Sequence, residues 1–229
     1  IGGDVVKFQA PGADLENILY LRTIDDGDKI VKVAPKSKKA VIVGGGFVSL
    51  DFVTSFVANG VNDVTILVLE PYYWFGKLDE VSSQVLTDTL EKNGIRVLVN
   101  EEVDHFVGDD EVQSVVTKSG KTFEADVVGI GIGIKSDLSW LEGTGININR
   151  AIVTNEYLET SLSDVYAAGD CAEFKDVIFD RQHIMGNWAN ATNQGAAVGK
   201  TMCEMRTVFE TASSYSINVQ YYETDHITR

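Results

Sequence analysis

The sequence predicts an α/β fold in which helices wind around both faces of a parallel sheet, and three observations support this prediction. Hydrophobic residues make up 44% of the 229 residues and charged residues 23%, with 21 glycines and 3 prolines, which is typical of a globular chain. Apolar runs of strand length alternate with amphipathic runs of helix length. A turn of three glycines joins a strand-like run to a helix-like run.

The elements are predicted in order from these patterns. A short apolar run at 18–21 precedes a helix that is capped near Thr23 or Asp25. The run at 39–43 is continuous rather than alternating, which indicates a strand buried on both faces. Apolar residues then recur at helical spacing over 47–58, before an Asn-Gly stop. The later elements are predicted as a strand at 64–69, a helix at 79–93, a strand at 95–99, a β-meander at 102–123, a strand at 126–130, strands at 152–153 and 165–168, and a helix at 191–205.

The glycine turn at 44–46 predicts a site for a dinucleotide. Gly44 permits a tight turn out of the strand, Gly46 lets backbone N–H groups reach a pyrophosphate, and the positive end of the helix stabilises its charge. The third motif position holds Ser49, which is still small enough for close packing. The alternative is a glycine-rich turn without a ligand, but the spacing of strand, turn, helix and second strand favours the dinucleotide.

Glu70 ends the second strand, 24 residues after Gly46. A carboxylate there can accept both hydroxyls of an adenosine ribose, and a 2′-phosphate would meet like charge, so the sequence favours NAD(H) over NADP(H). The alternative is a solvated acidic residue at a strand end. Tyr73 and Lys77 form a Tyr-x-x-x-Lys pair like that of short-chain dehydrogenases, but they follow the turn too closely, and we interpret the pair as chance.

The overall charge and the cysteines restrict the class of protein. The formal net charge of −15 repels phosphate backbones and anionic lipid headgroups, so we expect neither nucleic acid nor a membrane as partner. Cys171 and Cys203 form no C-x-x-C pair and have no metal-ligand spacing, so we expect two buried thiols, a cytoplasmic location, and no metal. Dithiol exchange is excluded for the same reason.

Four stretches of the sequence resemble the FAD-dependent pyridine nucleotide-disulfide oxidoreductases, in the branches of the ferredoxin and rubredoxin reductases and the NADH oxidases. The stretch 11–26 is similar to the link between that family's first FAD segment and its NAD domain, and 44–51 is similar to its NAD turn. The stretch 160–170 ends in Ala-Ala-Gly-Asp and resembles its second FAD motif, and 188–195 resembles the start of its helix beside the flavin ring.

The resemblance implies a fold and a division into domains. The fold is an FAD/NAD(P)-binding three-layer ββα Rossmann-like domain with a central β-meander, plus a partial second FAD-binding domain. The implied domains are a remnant of the FAD domain with its linker at 1–37, the NAD-binding domain at 38–150, the second FAD segment at 151–206, and the start of a C-terminal interface domain at 207–229.

The residues and the resemblance together nominate cofactor contacts but no catalytic side chain. The candidate NAD(H) residues are Gly44, Gly45, Gly46, Phe47, Val48, Asp51, Glu70, Gly131, Ile132 and Gly133, and the candidate FAD residues are Gly169, Asp170, Trp188 and Ala189. By resemblance the Asp170 carboxylate takes a ribityl hydroxyl and Trp188 lies near the isoalloxazine. Without the resemblance, a single Trp such as Trp188 is better explained as a core or interface aromatic. Asp51 falls where the family often has a longer Glu near the nicotinamide.

The implied function is electron transfer through two cofactors. Hydride passes from NADH to FAD, and electrons go on to a ferredoxin- or rubredoxin-type protein or to oxygen, so the cofactors supply the chemistry. The family's first FAD turn is missing, so we interpret the chain as an internal fragment that by itself holds FAD weakly or not at all. The resemblance also allows a homodimer. The alternative is a non-catalytic NAD(H)-binding sensor or scaffold module.

Overall fold

The computed structural model describes residues 2–210, and these fall into two compact units. The first unit comprises residues 5–134, and the second comprises residues 2–4 with 135–210. The elements between residues 4 and 135, in chain order, are β1 (Asp4–Val5), β2 (Ile18–Leu19), α1 (Ile24–Val33), β3 (Lys39–Val43), α2 (Phe47–Ala58), β4 (Asp63–Leu67), α3 (Glu80–Lys92), β5 (Ile95–Leu98), β6 (Val103–Gly108), β7 (Val112–Thr117), β8 (Thr122–Glu124), β9 (Val127–Ile130) and β10 (Ile134–Lys135). The short strands β1 and β10 pair with each other.

The first unit is built on a five-stranded sheet in the order β2-β9-β3-β4-β5, and every pair in it is parallel. Parallel neighbours need crossover connections, and α2 and α3 supply those from β3 to β4 and from β4 to β5. The antiparallel β6-β7-β8 meander was predicted at 102–123 and is confirmed.

Successive side chains of the buried strands point to opposite faces of the sheet, and each face is covered by a further layer. Val41 and Val43 of β3 point toward the meander, where they share a core with Phe106 and Val115. On the other side, α2 packs against β3, β4 and β9. Gly129 in β9 makes room for this helix, because a Cβ built on Gly129 would lie 2.6 Å from the Phe52 ring. The predicted order of meander, sheet and helix layers is confirmed.

The second unit contains a small sheet and one long helix. Its elements are β11 (Ile152–Val153), β12 (Ala172–Asp176), β13 (Arg181–His183) and α4 (Trp188–Met202). β11 pairs parallel with β12, and β12 pairs antiparallel with β13. Leu158, Phe174 and Met185 form a core with residues of α4.

Three sequence expectations were wrong in the second unit. The run 165–168 is not a strand, because its pairing within residues 2–210 is a single bridge from Tyr166 to Glu159. The long helix begins at Trp188 rather than 191, because the Asn187 side chain accepts a hydrogen bond from the backbone N–H of Asn190 and caps it there. Cys203 is exposed rather than buried, since it follows the last turn of that helix.

The domain boundaries predicted at 38, 151 and 207 remain predictions, and 211–229 lie outside the described residues. Within residues 2–210, none of the helices has the length and apolar character needed to traverse a membrane.

Candidate functional site

The glycine turn after β3 can be built only from glycine at two of its three positions. Gly44 adopts φ +122°, and a Cβ at this residue would overlap the Gly131 carbonyl oxygen. Its N–H donates to the Leu67 carbonyl at 2.9 Å, which ties the turn to β4. A Cβ on Gly45 would lie 2.7 Å from Val68 Cγ1. The turn therefore brings bare backbone to the carboxyl end of the sheet.

The N-terminus of α2 has the features of an anion site. Gly46 is its N-cap, provides no side-chain hydrogen bond to the first turn, and is followed by no acidic residue in that turn. Apart from its two chain neighbours, no atom of residues 2–210 lies within 4 Å of a Cβ built on Gly46, so there is room in front of the helix. The first N–H groups of a helix have no intrahelical acceptor, and together with the helix dipole they favour a phosphate. The turn thus fits the pyrophosphate of a dinucleotide.

Glu70 lies beside this turn, as its position after the second strand predicts. A Cβ built on Gly45 would be 3.4 Å from Glu70 Oε2, so the carboxylate borders the turn directly. The residue is half-buried, and Asn100 donates its N–H to the Glu70 carbonyl at 3.1 Å, which holds the backbone in place. No donor among residues 2–210 bonds to the Glu70 carboxylate, so it can accept hydroxyl groups from a ligand.

An aromatic segment, residues 72–78, folds against the turn. Trp74 donates its N–H to the Gly45 carbonyl at 3.2 Å, and its ring meets the Phe47 ring edge-on with 4.7 Å between centroids. Phe47 and Val48 are half-buried in the first turn of α2. The sequence pattern alone does not place this segment at the site, although the run of four aromatic residues after Pro71 is a signal for it.

A buried hydroxyl pair fastens the aromatic segment to α2. Tyr73 is 0% exposed, and its hydroxyl lies 2.9 Å from Ser49 Oγ, which itself donates to the Gly46 carbonyl at 2.5 Å. A serine hydroxyl has one proton, so Tyr73 is the donor to Ser49. Burial raises the pKa of Tyr73 to about 12, which keeps the phenol neutral. The residue is therefore a structural link and not a proton donor to a substrate.

A second pair of glycines, Gly131 and Gly133, follows β9 beside the turn. Gly131 donates its N–H to the Val43 carbonyl at 2.8 Å, and a Cβ on it would lie 3.1 Å from the Ser49 nitrogen. Gly131 is buried, whereas Ile132 is 38% exposed and Gly133 adopts φ +109° with open space around it. Gly131 thus packs directly against the turn, and the assignment of Gly131, Ile132 and Gly133 to NAD(H) remains a prediction.

Asp51 lies one turn into α2 and is exposed. The surrounding protein atoms desolvate its carboxyl enough to raise the pKa above the ordinary value of 3.8.

The second unit holds the Gly-Asp pair of the predicted FAD motif. Gly169 adopts φ +80°, and its N–H donates to Gln194 Oε1 at 2.6 Å. No group among residues 2–210 donates a hydrogen bond to the Asp170 carboxylate, and a Cβ on Gly186 would lie 3.8 Å from Asp170 Oδ1. A half-buried carboxylate with no internal donor fits the role of accepting a ligand hydroxyl.

The start of α4 lies near this pair and has unused amide groups. Asn190 and Gln194 are fully buried, yet no group within residues 2–210 forms a hydrogen bond with Asn190 Oδ1, Gln194 Nε2 or Asn187 Nδ2. Ala189 is buried, whereas Trp188 is 82% exposed. Trp188 is therefore not a core aromatic, whereas its interpretation as an interface aromatic and its assignment beside the flavin remain predictions. The half-buried Asp170 carboxylate, which has no donor among residues 2–210, fits a polar ligand bound at this helix end.

These features define a class of protein: an α/β protein whose first unit presents a dinucleotide turn and whose second unit carries a Gly-Asp pair beside a helix end. The family described as pyridine nucleotide-disulphide oxidoreductase matches residues 1–195. The chain belongs to that family.

Known relatives agree with this assignment. The chain is 32% identical over 197 residues to the nitrite reductase [NAD(P)H] of Bacillus subtilis, covering 86% of this chain and 24% of the relative. It is 32% identical over 207 residues to an NADH oxidase of Enterococcus faecalis, covering 87% of this chain and 45% of the oxidase. A ferredoxin reductase from Rhodopseudomonas palustris has a similar structure, with a TM-score of 0.82 and 27% identity, covering 91% of this chain and 52% of that one. The chain thus spans between about a quarter and about half of these proteins.

Proposed function

We propose that this chain is the NAD(H)-binding part, with a portion of the FAD-binding part, of a flavoprotein oxidoreductase. The observation that carries the proposal is the turn at Gly44, where bare backbone, an uncapped helix end and the Glu70 carboxylate meet. A bound NADH supplies a hydride, and a bound FAD accepts it and passes electrons on singly or in pairs.

The chain's own residues bind and orient these cofactors. The N–H groups at the start of α2 hold the pyrophosphate, and Glu70 accepts the two hydroxyls of the adenosine ribose. Gly131 packs against the turn, and we assign the exposed Ile132, Gly133 and Asp51 to the nicotinamide half of the ligand. In the second unit Asp170 accepts a ribityl hydroxyl, while Trp188 and Ala189 begin the helix that faces the flavin.

We propose a small redox protein of ferredoxin or rubredoxin type, or oxygen, as the electron acceptor. Support comes from the ferredoxin reductase and NADH oxidase similarities of the chain. The two cysteines are free thiols, which supports a reducing compartment such as the cytoplasm. A homodimer is part of the same proposal by family resemblance.

The test is calorimetric titration of NADH and FAD, separately, into the purified chain. We expect NADH to bind, and Glu70→Gln to weaken it about tenfold, because the amide loses the charge-assisted hydrogen bonds to the ribose. Glu80→Gln is the matched control, since Glu80 is an exposed carboxylate in the first turn of α3, and it should leave NADH binding unchanged. Absence of NADH binding to the wild-type chain would overturn the proposal.

The flavin part of the proposal has its own measurement. Asp170→Asn should weaken FAD binding further, while Asp164→Asn, a change at an exposed carboxylate of the same unit, should not. Addition of NADH should then bleach the visible absorbance of any bound flavin. NADH binding without flavin reduction would favour the alternative of a sensor or scaffold module.

A further inference from the structure

Two buried amide side chains of α4 bind the backbone on either side of Asp170. Asn190 and Gln194 are both 0% exposed, and their spacing of four positions places them on the same face of the helix. That face packs against residues 169–171. Buried polar side chains on a packed helix face are unusual, so the bonds that these two make indicate what the face is for.

Gln194 holds the turn that precedes the Asp170 carboxylate. Its Oε1 accepts a hydrogen bond from the Gly169 N–H at 2.6 Å, between residues that are 25 positions apart. Gly169 has a φ of +80°, and a Cβ built on it would lie 3.4 Å from Ala191 Cβ, so the turn rests directly on α4. The hydrogen bond therefore fixes the direction in which residue 170 leaves the turn.

Asn190 holds the backbone on the other side of the same carboxylate. Its Nδ2 donates to the Met185 carbonyl at 2.8 Å, and Met185 is buried in the core around Phe174. The next residue is Gly186, and a Cβ built on it would lie 3.8 Å from Asp170 Oδ1. The backbone that borders the carboxylate is thus bonded to the same helix face as the turn that precedes it.

We propose that Gln194 and Asn190 are positioning residues that hold the Asp170 carboxylate toward a ribityl hydroxyl of the flavin. They act through the backbone of Gly169 and Gly186 and not by contact with the ligand. This inference rests on the proposed function and deepens it, because it names the groups that orient the carboxylate. A hydrogen bond to a carboxylate is strong only when its distance and angle are right, so a small displacement of the turn weakens the flavin.

The competing role for the two amides is purely structural, as bonds that stabilise the packing of α4. Riboflavin and lumiflavin separate the two roles, because they share the isoalloxazine ring and lumiflavin has a methyl group in place of the ribityl chain. Loss of a structural bond would weaken both flavins by the same factor. Loss of a positioning bond would weaken riboflavin and spare lumiflavin.

The experiment measures the dissociation constants of riboflavin and lumiflavin by quenching of flavin fluorescence. We expect Gln194→Met to weaken riboflavin about tenfold and to leave lumiflavin within about twofold, since only riboflavin loses a hydrogen bond to a charged acceptor. Asn190→Leu should act in the same direction. Asp170→Asn should remove the preference for riboflavin, which would tie the effect to the carboxylate.

Thr201→Val is the matched control. Thr201 is a buried residue two turns further along α4, and its hydroxyl also accepts a backbone N–H, from Thr207 at 3.2 Å. The variant removes a buried bond from the same helix, so urea unfolding should show a loss of stability like that of Gln194→Met. Both flavin constants should stay unchanged.

Amide hydrogen exchange reports the hold on the turn without any ligand. The Gly169 N–H should exchange slowly in the wild type and at least about tenfold faster in Gln194→Met, whereas Thr201→Val should leave it protected. Faster exchange of Gly169 with unchanged riboflavin affinity, or an equal loss of both flavins, would overturn the inference and leave the proposed function intact. A wild-type chain that binds NADH but not riboflavin would overturn the inference and the flavin part of the proposed function, and a chain that binds neither would overturn both in full.

Discussion

At the scale of single residues, two separate reasons require glycine at position 44. Its φ of +122° is disfavoured for any residue with a Cβ, and its Cβ would also overlap the Gly131 carbonyl oxygen. Gly120, in the turn between β7 and β8, has a similar φ of +84° but open space around it. The two glycines therefore separate backbone strain from steric overlap.

Alanine at these two positions tests the distinction. Gly120→Ala should cost about 1 kcal/mol, the strain of a left-handed alanine, and should leave NADH affinity unchanged. Gly44→Ala should cost about 2–4 kcal/mol, because the β9 edge must also move, and should abolish measurable NADH binding. Urea unfolding and NADH titration give the two quantities. Equal effects of the two variants on stability and on NADH affinity would mean that the close approach of Gly44 to Gly131 contributes to neither.

At the scale of elements, the segment between β4 and α3 is part of the site rather than a connection only. Ser49 stands where the motif usually has a third glycine, and the structure explains the departure, because its hydroxyl joins the Gly46 carbonyl to the buried Tyr73 phenol. Ser83 of α3 donates to the Tyr73 carbonyl, so the same residue also holds the following helix. Tyr73 therefore fixes the segment that follows Glu70.

Removal of the Tyr73 hydroxyl tests this link. Tyr73→Phe should lower the free energy of unfolding by about 1–2 kcal/mol, since Ser49 loses a buried donor, and should weaken NADH several-fold. Tyr72→Phe is the control, because Tyr72 packs on Phe75 and is only half-buried. In a double-mutant cycle with Ser49→Ala, a coupling near zero between the two positions would show that the hydroxyl pair does not stabilise the segment.

At the scale of the whole molecule, the net charge of −15 makes the stability of the folded chain depend on the partners of its buried carboxylates. The Lys121 ammonium and Ser119 donate hydrogen bonds that lower the pKa of Glu101 in the first unit. In the second unit burial alone would raise the pKa of Glu173, but hydrogen bonds from Arg150 bring it below its usual value. Each unit thus contains a buried glutamate whose ionised form is favoured by hydrogen bonds of the folded chain.

These shifts predict acid sensitivity with a definite sign. The folded-state pKa of both glutamates lies below the ordinary 4.5, so their contribution is fully present above that pH and is lost as the pH falls through the lowered values. Lys121→Met should cost about 1–3 kcal/mol at pH 7, where Glu101 is left unpaired, and much less at about pH 4. Urea unfolding at both pH values measures this. Lys118→Met, which removes an exposed pair with Glu102, should have little effect, and a pH-independent loss in Lys121→Met would contradict the role of charge.

Much of the fold around the turn was accessible from short-range patterns. The bounds of β3 and α2 match the apolar run and the helical spacing, because both patterns report which side chains face the core. The prediction of a strand at 165–168 was wrong because β-branched and small residues favour a strand only where a partner strand is present. The long helix begins three residues before its predicted start, because the Asn187 side chain caps the backbone N–H of Asn190.

The sequence by itself determined the class of fold, the glycine turn and the placement of Glu70 after the second strand, because each depends on backbone preferences and spacing within a few tens of residues. Only the tertiary structure decided that Ser49 binds Tyr73, that Gly131 backs the turn, and that Gln194 binds Gly169. These contacts join residues that are 24 or more positions apart, or that depend on how a loop packs, and no local pattern encodes such distances.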